Sequence, residues 1–112
     1  MLDSAQQVWS LQKDESIKHL LILLFDHFGK TELVADVDNL CNDRAICLMH
    51  RNDRAVRLYI FTYGHAAEKY GVHVEYPIAC LPYPASYENV SFTQLTDIVE
   101  LNLDIVPVEL LV

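Results

Sequence analysis

An α+β fold is what this sequence predicts: N-terminal helices, a small antiparallel meander of about three strands, and a C-terminal helix packed on one sheet face. Three observations point there. Ile17, Leu20, Leu21, Leu24 and Phe28 recur with helical spacing. Two apolar runs, 45–50 and 55–63, flank the polar turn Arg51-Asn52-Asp53-Arg54. A third run, 72–78, alternates Val72, Val74, Tyr76 and Ile78 with His73 and Glu75. At 112 residues the chain is expected to form a single domain, 1–112, because two independent cores would not fit.

The elements follow in order. Ser4 with Gln7 makes a capping box ahead of Val8 and Leu11. Asp14 or Ser16 opens a second helix through Phe28, and Gly29 stops it. Ile22, Leu23 and Phe25 widen its apolar stripe, so this helix is buried on more than one side. Residues 31–41 fit a short helix capped by Thr31 or the start of a strand, and the helix is the preferred reading. In the 55–63 run, Val56, Leu58, Ile60 and Thr62 alternate with Arg57, Tyr59, Phe61 and Tyr63. Both faces are largely apolar, which predicts a central strand covered on both sides. Gly64 to Gly71 has helical character through Ala66, Ala67, Glu68 and Lys69. Pro77, Pro82 and Pro84 end the third strand and predict a loop over 79–89. Ser91 with Gln94 opens a closing helix carrying Phe92, Leu95, Ile98, Val99 and Leu101. The apolar tail 103–112 is expected to dock on its own domain or on a neighbouring chain.

Composition narrows the function classes. With 52% apolar and 21% charged residues, the chain is not of the disordered kind. Its mean hydropathy of +0.14 is high for a small domain, and the surplus apolar surface predicts self-association, as a homodimer. The most apolar run, Leu20 to Phe25, falls far short of the roughly 20 residues a spanning helix needs, so no membrane segment is expected. The first residues carry Asp3, Asp14 and Glu15 rather than the basic and apolar regions of a signal peptide. Cys41, Cys47 and Cys80 are odd in number and not closely paired, which predicts reduced thiols, no metal site and a cytoplasmic location. No cofactor motif is present: three glycines cannot build a phosphate loop, and no nucleophile elbow occurs, so no catalytic residue is assigned.

Net charge is −8, unevenly spread: −5 over residues 1–43, +3 over 44–71 and −6 over 72–112. All four arginines, Arg44, Arg51, Arg54 and Arg57, fall within fourteen positions. Arg51, Arg54 and Arg57 are therefore candidate anion-binding residues. The acidic remainder argues against nucleic acid and favours pairing of these arginines with carboxylates of the same protein or of a second subunit.

Two further groups complete the candidates. Tyr63, His65, Glu68, His73 and Glu75 could line a ligand pocket, His65 and Glu68 sharing one helical face and His73 and Glu75 one strand face. All six tyrosines lie between 59 and 87, and tyrosine is enriched at contact surfaces. Tyr59, Phe61 and Tyr76, with Val108, Leu110 and Leu111 of the tail, are the expected interface. The functional expectation is a small intracellular interaction or regulatory module with a possible protein partner, such as an adaptor or an antitoxin- or immunity-like inhibitor. The alternative is an enzyme or small-ligand binder with a His/Glu/Tyr pocket near 63–76.

Overall fold

A computed structural model describes residue 8 and residues 11–29, 31–36, 42–76 and 85–108. The expected first helix lies mainly outside the described residues, as do Leu110, Leu111, Cys41 and Cys80. Helix α1 (Glu15–Phe28) is followed by strands β1 (Leu33–Asp36), β2 (Ala45–His50), β3 (Asp53–Phe61), β4 (Tyr70–Glu75) and β5 (Ala85–Val90), and then by α2 (Phe92–Leu103). The architecture is α+β, as the sequence predicts.

Both helices begin where side chains can satisfy their free N–H groups. Asp14 caps α1, accepting from the Ser16 backbone N–H (3.0 Å) and from the Ser16 hydroxyl (2.6 Å). Gly29 ends it at φ 78°, a left-handed region glycine enters without penalty, and donates its N–H to the Phe25 carbonyl (2.8 Å). The Ser91–Gln94 capping box opens α2, with both reciprocal hydrogen bonds formed.

The five strands form one antiparallel sheet in chain order, β1-β2-β3-β4-β5. Leu58 of β3 sits opposite Leu48 and Val74, and Ile60 opposite Ile46 and Val72. These six join Ile17, Leu20, Leu21 and Leu24 of α1 and Leu95, Ile98 and Val99 of α2 in a single core. Burying each such aliphatic side chain is favourable by about 1.5–3 kcal/mol. Strand alternation turns Cys47, Tyr59, Phe61 and His73 to the opposite sheet face. Cys47 is a buried thiol outside any disulfide.

Four expectations need correction. The sheet has five strands rather than about three. The preferred helix at 31–41 is wrong for its described part, because β1 pairs with β2 in the register Leu33↔His50 to Asp36↔Cys47. Pairing with an open strand edge outweighs a weak local helix preference. Within the expected loop at 79–89, residues 85–89 belong to β5; Ser86, Tyr87, Glu88 and Asn89 are exposed there. An edge strand wet on both faces carries no apolar alternation to read. Finally, 64–69 forms turns rather than a helix: Glu68 adopts φ 63°, and short-range bonds run from His65 N–H to Thr62 O (3.2 Å) and from Lys69 N–H to Ala66 O (3.1 Å). The strand boundaries also move, to 53–61 and 70–75. Among the described residues, no helix is long and apolar enough to cross a membrane.

Candidate functional site

The connection between β3 and β4 leaves a cavity of about 470 Å³ against the first half of α1. Ser16, His19 and Leu23 contribute from α1 at i, i+3 and i+7, so one helical face forms a wall. Arg44 and Thr62 line it from the ends of β2 and β3, and His65 to Tyr70 close it. Its size lies within the range of about 300–1,000 Å³ typical of small-molecule sites.

A chain of polar contacts fixes one edge of this cavity. The hydroxyls of Thr62 and Ser16 lie 2.7 Å apart, and Ser16 donates to Asp14. The Thr62 backbone N–H donates to the Arg44 carbonyl (2.9 Å). Arg44 Nε lies 3.7 Å from the Asp14 carboxylate. The Ser16 hydroxyl above all, then the Ser16 N–H and the Arg44 guanidinium, hold Asp14 below its ordinary pKa. Tyr70, buried in the opposite wall, shifts the other way: burial raises its pKa first, and the nearby Glu68 carboxylate adds to the effect. Its phenol therefore keeps its proton at neutral pH.

His65 joins the cavity to the sheet. Its side chain is only 8% exposed, and Nε2 lies 2.8 Å from a Glu88 carboxylate oxygen on β5. The His65 ring lies 5.4 Å from Phe61, which also stacks on Tyr63 (4.6 Å) and meets His73 edge-on (5.1 Å). Tyr59 completes the group, 5.8 Å from Phe61 and 6.0 Å from His73. Gly71 lies directly across the ladder from Phe61, and the ring occupies the space where a side chain would stand.

The predicted pocket residues thus divide. His65 and Glu68 line the cavity, although no helix places them there. Tyr63 and His73 gather on Phe61 instead, and Glu75 lies opposite Arg57 further along the β3–β4 ladder. Glu88, the partner of His65, was missed because the sequence around it reads as loop. Ser16, His19 and Leu23 were missed as well, because Leu23 reads as part of the widened apolar stripe of α1.

The predicted anion-binding arginines do not converge. Arg51 donates from Nε to the Thr31 carbonyl (2.6 Å), and Arg57 forms an ion pair with Asp36. Arg54 is exposed near the start of β3, where the register against β2 is irregular. Of the expected interface, Phe61 is only 5% exposed, Tyr59 is half-buried, and Tyr76 donates its hydroxyl to Asn102 Oδ1 (3.1 Å). The more exposed apolar side chains are Leu101 (80%), Leu23 (47%), Val106 (45%) and Val108 (40%). Leu23 and Val108 line a second groove of about 300 Å³ with Asp26, His27 and Phe92. Leu23 is therefore the wall between the two depressions.

Among the described residues, no group of three or more His, Cys, Asp or Glu side chains is placed to hold a metal ion. No protein-family model matches the chain, and no curated protein or solved structure matches it either.

Proposed function

We propose that this chain is a small cytoplasmic protein-interaction or regulatory module, of adaptor, antitoxin- or immunity-like kind, that works as a homodimer. The observation that carries the reading is the groove between α1 and the C-terminal segment, where Leu23 and Val108 remain 47% and 40% exposed beside Phe92. Isolated exposed apolar residues are ordinary, but apolar residues lining one depression are a common mark of a contact surface. Val108 belongs to the predicted interface, and Leu23 adds a residue from α1. A second copy would bring the same exposed apolar residues to the groove, and their burial has to outweigh the repulsion between two chains that each carry −8.

The test is solution mass by light scattering across a hundredfold range of concentration. The expected result is a dimer that Leu23→Glu with Val108→Glu converts to a monomer while circular dichroism is unchanged. A parent protein that stays monomeric throughout the range sinks the reading.

A second reading is favoured by a separate observation, the cavity beside His65 with its Glu88-held imidazole. In that reading the chain is a small-ligand binder or an enzyme acting near residues 62–70.

A further inference from the structure

Lys69 lines the cavity, is half-buried, and has no carboxylate among the described residues within ion-pair distance of its ammonium group. The stem of a half-buried lysine packs against apolar surface while its ammonium group stays accessible to a ligand. Arg44, which also lines the cavity, meets Asp14 through Nε, and a guanidinium has further donors on its terminal nitrogens. The hydroxyl protons are differently placed: Ser16 spends its own on Asp14, and Thr62 has Ser16 and the Arg44 carbonyl within reach. Lys69 and Arg44 are the cationic donors of the lining, beside the His19 ring. Around them the lining is mainly apolar, made by Leu23, Ala66, Ala67 and the Tyr70 ring.

We propose that this cavity binds a small carboxylic acid with an apolar body, the carboxylate held by Lys69 and Arg44 and the body lying along Leu23, Ala67 and Tyr70. The proposal rests on the ligand-site reading above and names the ligand class for that site. A monoanion fits better than a phosphate dianion, because Glu68 shares the lining and the chain as a whole is acidic. Screening confines the repulsion from distant carboxylates to about 8–10 Å at physiological salt, so the nearby cations dominate inside the cavity. The free acid and the corresponding amino acid share this chemistry. They differ in whether an ammonium group is present for Glu68 to meet.

The experiment titrates the full chain with 3-phenylpropionate, its neutral amide 3-phenylpropanamide, L-phenylalanine and acetate, following backbone amide shifts by NMR. Expected is saturable binding of 3-phenylpropionate with millimolar affinity, the order suited to so small a probe. The shifts should centre on residues 16–23 and 65–70. The amide should bind at least tenfold more weakly, and acetate should leave these signals in place. Tighter binding of L-phenylalanine than of the acid would support the proposal and identify the amino acid as the better member of the class. Lys69→Gln should weaken the acid about tenfold and leave the amide unchanged. Arg44→Gln should do the same, with thermal melting as the check that it folds. Equal binding of acid and amide overturns the carboxylate assignment but leaves a ligand site in place. If no probe shifts these residues, the ligand-site reading falls along with the proposal.

Discussion

Replacing Gly71 by alanine puts a methyl group where the Phe61 ring already lies. The new Cβ would stand 2.1 Å from Phe61 Cζ and 2.3 Å from one Cε, well inside van der Waals contact. The ring must swing away, yet Tyr63, His73, His65 and Tyr59 all pack around it. Forcing an extra methyl into a packed site costs about 1–3 kcal/mol. Loss of favourable ring geometry adds about 0.5–1.5 kcal/mol for each pair disturbed. Against this, alanine in a strand gains roughly 0.5–1 kcal/mol over glycine by restricting the unfolded chain. The net expectation is a loss of about 1–3 kcal/mol, read in urea as a midpoint lowered by on the order of 1 M. Phe61→Ala alone should cost about 3–5 kcal/mol, as for a buried aromatic. The double variant decides the matter: with the ring gone, alanine at 71 has room, so adding it to Phe61→Ala should cost nothing further. Single-variant costs that simply add, within about 0.5 kcal/mol, would refute the claim that the ring and the missing side chain share one space.

Two further outcomes follow from the helix caps. Asp14 has a pKa below its ordinary 3.8, so its contribution to stability is complete above that value and lost as pH falls through the lower, folded-state value. Asp14→Asn should therefore be less stable than the parent at pH 7, with the gap in urea midpoint closing below about pH 4; a gap independent of pH would show that charge plays no part. Ser91→Ala removes the bond that the Gln94 N–H donates to the Ser91 hydroxyl at the start of α2 and should lower stability by about 1 kcal/mol by thermal or urea unfolding, and an unchanged midpoint would contradict the capping role.

Much of the fold was legible because its signals are local. Ile17 to Phe28 announces a helix by spacing, Ser91 and Gln94 mark the start of another, and the two apolar faces of 55–63 identify the central strand, which the structure bounds at 53–61. The misreadings share a cause: β1 and β5 are edge strands whose conformation depends on a neighbour distant in sequence. Leu33 to Asp36 is a strand because β2 offers an edge, and nothing within those four residues says so. The candidate site was half legible for the same reason. His65 and Glu68 were chosen on a helical spacing that does not exist, and they share the cavity because the turns at 64–69 bring them there. Ser16 reaches it from α1, Arg44 from the start of β2, and Glu88 of β5 meets His65, a convergence that no spacing along the chain encodes. Of the aromatic residues chosen for the interface, Phe61 is buried and Tyr59 half-buried because they pack on one another, while Tyr76 is exposed.

The chain-order sheet makes the cavity the product of a single long closure. Neighbouring strands are joined by connections as short as the two residues 51–52 and the eight residues 62–69, whereas the Ser16–Thr62 contact closes a loop of 46 residues. Because the entropy of closure rises by about 0.6 kcal/mol for each doubling of length, closing that loop costs roughly 1.5 kcal/mol more than closing the eight-residue connection. The sheet can therefore assemble from hairpins while α1 is still free. In that state the cavity has only its floor, so occupying the site and holding the first helix in place are thermodynamically one event, and any ligand that binds there also stabilises the docked helix.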